Sequence, residues 1–408
     1  MVKKSENHHF VPRFYLRNFA KKGKKTYLTA FYQFSNELVT DVVCSVESIC
    51  YKSYYYGEDG QLEHNLALKE SVWSQVINNI INKARTEKEE ISIADIKSIK
   101  EFILYQHSRI PATINYANSQ MRKVKDKILC SIGNVYQNDE NEIMMEPSEL
   151  VEQADGMLDA ISDLSISIII FKTEENLVTS DAPVIQLNPM FESRGGLLSV
   201  GCVIILPIAE NVAILLYDSK VYGQKTLYMV NSCEEDVIKL NLYQTINAEE
   251  RIISTCKNQL EKIKADCNVK MYRKDKYEKN EIDSVREGRK TIIEIKGQIT
   301  DYKYNLSFLK LPQQIKKIPA SYRMLISRDI DPFEGKVMLY RDAYLPHGLL
   351  LERGYTKNQV KRRTKSILSF LDYMYDYWGT PTDEQGLSSQ LIQHINSAKI
   401  GFIEKDVK

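Results

Sequence analysis

Apolar residues recur at helical spacing between residues 62 and 85, where Leu62, Leu66, Trp73, Val76, Ile77, Ile80 and Ala84 fall on one face. The pattern predicts a long amphipathic helix. A second helix is expected after Ser92, which can cap it with Asp95 three residues on, and Ile96, Ile99 and Ile103 form its buried stripe. Pro111 should kink or end that helix, with helix resuming through Ile128. Residues 147–162, "PSELVEQADGMLDAIS", read as a further helix, and residues 234–264 as another. Elsewhere the period changes. "KTYLTAFYQFS" (25–35) and "ELVTDVV" (37–43) are rich in β-branched and aromatic residues and read as a strand pair turning at Ser35-Asn36. "SISIIIFKT" (165–173) is a continuous apolar run that suits a central strand, and shorter strands are expected at 184–188, 203–207 and 212–217.

These elements amount to an α+β fold: an N-terminal helical region packed on a central mixed or antiparallel sheet, with a smaller C-terminal α/β unit. The division expected is a core over 1–270, a charged connection or hairpin over 271–295, and an accessory unit over 296–408 with a strand near 337–340 and an amphipathic helix at 357–378.

Polar residues that break the pattern are the candidates for chemistry. Glu63 and Glu70 lie seven residues apart on one face of the first long helix, flanking its apolar stripe. Gln106 continues the stripe Ile96, Ile99, Ile103, and Arg109 follows Phe102 and Tyr105 on the adjoining one. A buried amide or guanidinium is costly unless paired, so these two ask for an acidic or phosphate partner elsewhere. That partner is either a helix glutamate, giving a structural ion pair, or a ligand. In "VTSDAPV" (178–184), Ser180 and Asp181 are delivered at a strand end and stopped by Pro183, which suits either a reactive site or plain turn chemistry.

The opening stretch "NHHFVPRFYLRNFA" (7–20) sets two titratable rings before a proline and a Phe14-Tyr15-Leu16 anchor. Neighbours in an extended segment point opposite ways, so one of His8 and His9 is expected to face a site and the other solvent. The anchor pins the segment, as a working imidazole requires.

Composition narrows the classes. The chain has 408 residues, 55 Lys+Arg against 54 Asp+Glu, and a formal net charge of +1. A global basic field is therefore absent, and nucleic acid could be held only by local patches such as "KKGKK" (21–25) and "KRRTK" (361–365). The 25 tyrosines are numerous and suit binding surfaces. The seven cysteines form no C-x-x-C pair, which points to reduced thiols in a cytoplasmic protein and away from a zinc ribbon. No apolar run is long enough to cross a bilayer. Walker A, G-x-G-x-x-G and G-x-S-x-G motifs are missing, which disfavours NTPase, dinucleotide-dependent and α/β-hydrolase classes.

The fragments "HHFVPRFYLRNFA", "LEHNLALKE", "QHSRIP" and "VTSDAPV", in that order, resemble the bacterial domain-of-unknown-function family 4238. That family typically shows a His-x-Val-Pro-Arg-Phe-Tyr-Leu opening, Leu-Glu…Glu and Gln-x-x-Arg helices, and a Thr-Ser-Asp-x-Pro strand end. The resemblance spans roughly residues 7 to 190 and fades toward 270; Ala182 stands where the family often has Asn. Carried over residue by residue, it selects His9, Arg13, Glu63, Glu70, Gln106, Arg109, Ser180 and Asp181. It also implies a possible place in bacterial defence or as a toxin effector.

The expectation for function is a hydrolase acting on phosphodiesters, foremost a metal-dependent nuclease. His9, Glu63, Glu70 and Asp181 would hold Mg²⁺ or Mn²⁺, while Arg13 and Arg109 would clamp the phosphate. A metal-free form would use His9 as base with the arginines alone. The alternative is a non-catalytic binding or sensor module for a nucleotide or other anionic ligand. A third reading is a scaffold whose polar network fixes helix-to-sheet geometry.

Overall fold

The computed structural model describes residues 6–20, 27–34, 37–86, 90–132, 144–189, 196–197, 201–265, 282–287, 290–295 and 305–311. The 21–25 and 361–365 basic runs, the 337–340 strand and the 357–378 helix lie outside the described residues.

The chain opens with strand β1 (Asn7–His9), a single helical turn α1 (Arg13–Leu16) and a 3-10 turn at Arg17–Phe19. The expected strand pair follows as β2 (Tyr27–Phe34) and β3 (Glu37–Ser45), antiparallel, with a register shift between Phe31 and Tyr32. Strand β4 (Tyr51–Ser53) returns to pair antiparallel with β1, setting His9 opposite Tyr51. Gly60, at φ 72°, makes the left-handed turn into helix α2 (Gln61–Ala84). Helix α3 (Ile93–Ser108) starts at Ser92, whose hydroxyl accepts the N–H of Asp95 at 3.0 Å. Pro111 does not kink α3: it opens the separate helix α4 (Pro111–Ile132), where its missing N–H has no bond to lose.

Residues 147–162 depart from the single helix expected. Helix α5 (Pro147–Glu152) carries a reciprocal cap between Glu146 and Glu149, then gives way to a 3-10 segment at Asp155–Ile161. Gly156 stands in that segment, and glycine is a poor helix former. Five strands then form one mixed sheet: β5 (Ser165–Phe171), β7 (Ile185–Leu187), β8 (Val203–Ala209), β9 (Val212–Tyr217) and β10 (Tyr228–Asn231). Its spatial order is β10-β5-β9-β8-β7, with β10 parallel to β5 and the other pairs antiparallel. Every residue of β8 and β9 is buried, which is why those strands read as unbroken apolar runs. Helix α6 (Ser219–Tyr222) is a short turn after β9.

The helix expected over 234–264 is two helices with a strand between. They are α7 (Glu234–Asn247), β11 (Arg251–Ser254) and α8 (Lys257–Ala265). Ala248 leaves α7 at ψ 140°, and the β-branched pair Ile252-Ile253 enters a second, antiparallel sheet of order β3-β2-β11-β6, where β6 is Thr179–Ser180. Strands β12 (Ile282–Glu287) and β13 (Lys290–Ile295) pair antiparallel within the charged segment. Farther on, the Ser307 N–H donates to Asp236 Oδ1 at 2.9 Å and the Phe308 ring meets Phe171, so residues 306–309 pack on the core.

The main core fills the space between the helices and the five-stranded sheet. Trp73 lies between Phe102 and Tyr105 at 5.5 and 5.2 Å. Tyr15 locks the opening segment to both sheets: its hydroxyl donates to the Pro207 carbonyl on β8 at 2.7 Å and bonds the Thr179 hydroxyl on β6 at 2.7 Å. The aromatic run near the N-terminus is thus a clamp on the fold. Among the described residues, no helix is long and apolar enough to cross a membrane. Cys44, Cys50, Cys202, Cys233 and Cys256 are free thiols.

Candidate functional site

Both opening histidines are buried, His8 to 1% exposure and His9 to 8%. The expectation that one of them faces solvent fails because β1 is covered on each face. The His8 ring stacks on Tyr56 at 5.6 Å, and its Nδ1 accepts the Tyr56 N–H at 3.1 Å. That imidazole is a fixed acceptor in a structural role. The His9 ring lies against Tyr51, its cross-strand partner, with centroids 5.5 Å apart, and its Nε2 is buried without a hydrogen-bond partner. Burial pushes the His9 imidazole down to about 4, and the Arg13 guanidinium adds to that shift. Backbone hydrogen bonding at Glu47 and Val46 opposes it only in part. His9 is therefore neutral at pH 7.

Helices α2 and α3 supply the rest of the cluster. Gln106 and Arg109 are both fully buried. Arg109 donates from Nη1 to Glu70 Oε1 at 2.7 Å, and from Nε and Nη2 to Gln106 Oε1 at 3.1 and 3.0 Å. Gln106 in turn donates to the carbonyl of Phe10 at 3.0 Å. The acidic partner that the buried guanidinium demanded is therefore Glu70, and the network ends on the residue after His9. Glu63, half-buried on the first turn of α2, has its carboxyl pushed up to about 7 by burial first and by the Glu70 charge second, against Arg109 and Arg13. Arg13 itself is exposed at the start of α1. His9, Arg13, Glu63, Glu70, Gln106 and Arg109 are thus linked by bonds or by electrostatic reach.

Ser180 and Asp181 belong to a different construction. The Ser180 hydroxyl donates to Gln244 Oε1 at 2.7 Å and accepts the Ala182 N–H at 3.1 Å. The Asp181 carboxylate accepts the N–H groups of Glu249, Glu250 and Arg251 at 2.8, 2.7 and 3.1 Å. Helix α7 completes the interlock. Asn241 accepts the Val178 N–H, Gln244 donates to the Pro183 carbonyl, and Asn247 donates to the carbonyls of Ala182 and Val184. Ala182 is buried, its N–H donating to the Ser180 hydroxyl and its carbonyl accepting from Asn247. Asp181 also lines a hollow of about 40 Å³ with Cys50, Glu250 and Arg251, room for a water or two. Phe10 and Tyr51, the neighbours of His9 along the chain and across the ladder, line that hollow too.

His9, Glu63, Glu70 and Asp181 do not fit a divalent cation together. Hard ions need carboxylate oxygens with free lone pairs. Both Asp181 oxygens accept backbone amides, and Glu70 faces a guanidinium at 2.7 Å. Among the described residues no group of three or more His, Cys, Asp and Glu side chains is placed to hold a metal ion.

Several working residues escaped the pattern reading. Tyr56 was hidden among 25 tyrosines. Lys100 is buried and donates to the carbonyls of Ser162 and Leu164 at 2.6 and 2.8 Å, tying α3 to the chain before β5. A signal for the interlock did exist: Asn241, Gln244 and Asn247 recur every third residue on one helical face.

Over residues 7–258 the chain matches the family described as "Protein of unknown function (DUF4238)". No curated protein and no solved structure matches it.

Proposed function

The chain belongs to that family, whose description carries no activity, and from the side chains themselves we propose that it is a phosphodiester hydrolase, foremost a nuclease, working by acid–base chemistry on Glu63 and His9. The observation that carries this reading is Glu63. It is a carboxyl poised near neutral pH on the first turn of α2, with an exposed guanidinium, Arg13, close enough to act on its charge.

The roles follow from protonation. Arg13 pairs with non-bridging phosphate oxygens, whose geometry matches its fork. Neutral His9 accepts a proton from the attacking water as the new phosphorus–oxygen bond forms. Glu63 gives its proton to the leaving oxygen as the old bond breaks. Glu70, Gln106 and Arg109 set the position of these groups without touching the substrate. No step is routed through Mg²⁺ or Mn²⁺, for the reason given above.

The test is cleavage of single-stranded RNA and DNA by the purified full chain, with EDTA and with added Mn²⁺. The expected result is turnover in EDTA, lost at least a hundredfold in Glu63→Gln with unfolding midpoint unchanged. Turnover that appears only with added metal and survives Glu63→Gln refutes the acid–base reading. The second reading, a non-catalytic module for an anionic ligand, is favoured by the exposure of Arg13 together with Tyr51 and Tyr54. It requires nucleotide binding with no turnover under any condition.

A further inference from the structure

We propose that Tyr51 gates access to His9 and selects what reaches the imidazole, an inference that rests on the reading of His9 as the reacting base. Four observations carry it. The ring of Tyr51 covers that of His9 at 5.5 Å with an interplanar angle of 42°, as expected for a directly opposed cross-strand pair. Beneath it, His9 Nε2 is a buried acceptor with nothing bound to it, in a side chain more than nine-tenths buried. A buried polar atom left without a partner is costly and points to a group that arrives later. Tyr51 itself is 37% exposed, so the cover is thin and faces solvent.

The fourth observation is the backbone. Strand β4 pairs only with β1 among the described residues, and it is bracketed by two non-glycine residues in the left-handed region, Cys50 at φ 55° and Tyr54 at φ 52°. Such strained positions cluster at ligand clamps and switches. Tyr51 also lines the hollow that Asp181 and Arg251 border.

The test measures access rather than turnover. The full chain is treated with diethyl pyrocarbonate at pH 6, and carbethoxylation of each histidine is followed by peptide mapping. Exposed His64 reports the unhindered rate and buried His8 reports the integrity of the β1–β4 ladder. Expected are slow modification of His9 in wild type and Tyr51→Phe, and at least a tenfold faster rate in Tyr51→Ala with His8 still protected. An unchanged His9 rate in Tyr51→Ala overturns the proposal. So does joint acceleration of His8 and His9, which would mean that the ladder opens and no gate exists. Because no cleavage is read, a protein without nuclease activity can pass this test, and a nuclease can fail it.

Discussion

Breaking the Glu70–Arg109 pair from either side should give unequal losses. Arg109 is fully buried, whereas the Glu70 side chain keeps 26% of its surface in water. Glu70→Ala leaves a guanidinium in the core with Gln106 as its hydrogen-bonded acceptor and the Glu63 carboxyl at longer electrostatic reach. A buried charge stripped of its bonded carboxylate costs about 3–5 kcal/mol. Arg109→Met leaves an edge carboxylate that can hydrate, and the lost interactions are then one charge-assisted bond and the contacts of Gln106, about 2–3 kcal/mol. The double variant Glu70→Ala/Arg109→Met removes both charges and should recover part of the loss, ending less destabilised than Glu70→Ala alone. Urea unfolding followed by tryptophan fluorescence measures all three, since Trp73 sits in the same helix pair. The reasoning is refuted if Arg109→Met costs more than Glu70→Ala, or if both cost under about 1 kcal/mol, the range of a surface pair.

Three further outcomes are expected. Tyr15→Phe removes a hydroxyl that bonds Thr179 and Pro207 in the core, so stability should drop by about 1–3 kcal/mol in the same denaturation assay. Asp181→Ala frees three backbone amides, and hydrogen exchange at Glu249, Glu250 and Arg251 should speed up well before global unfolding. The pH dependence of stability should show two opposed contributions. His9 is lowered from 6.5 to about 4, so below pH 6.5 the unfolded chain takes the proton first and stability falls as pH drops toward 4. Glu63 is raised from 4.5 to about 7, so the folded chain holds the extra proton and stability falls as pH climbs from 4.5 to 7. Wild type should therefore vary little across this window, His9→Asn should lose stability as pH rises, and Glu63→Gln should gain it. Thermal melts of the three proteins between pH 4.5 and 7 decide; identical slopes in all three would show that the two groups are not held as described.

Much of the local structure is legible in the residue pattern, because its causes are local. The apolar stripe of α2, the Ser92 cap of α3, the halt at Pro111 and the buried runs of β5, β8 and β9 each follow from side-chain periodicity or backbone sterics within a few residues. The same holds for the demand of Gln106 and Arg109 for partners, since a hydrophobic stripe interrupted by a guanidinium states its own cost. Which partners answer that demand is not a local matter. Glu70 reaches Arg109 across 39 positions of chain, and Asp181 reaches Glu249, Glu250 and Arg251 across about seventy. The stretch 248–256 has charges and spacing compatible with helix; it becomes a strand because β2 and β6 offer it a ladder and Asp181 takes its amides. The hydrogen-bond partners of the motif residues are decided in the same way. Ser-Asp at a strand end is equally good for turn chemistry and for catalysis, and only the tertiary fold commits those oxygens, the Ser180 hydroxyl to Gln244 and the Ala182 N–H and the Asp181 carboxylate to the amides of Glu249, Glu250 and Arg251. His9 Nε2 is left without a hydrogen-bond partner and the Glu63 carboxyl is raised, because the elements folded around them bring burial and charge but no donor or acceptor to that nitrogen.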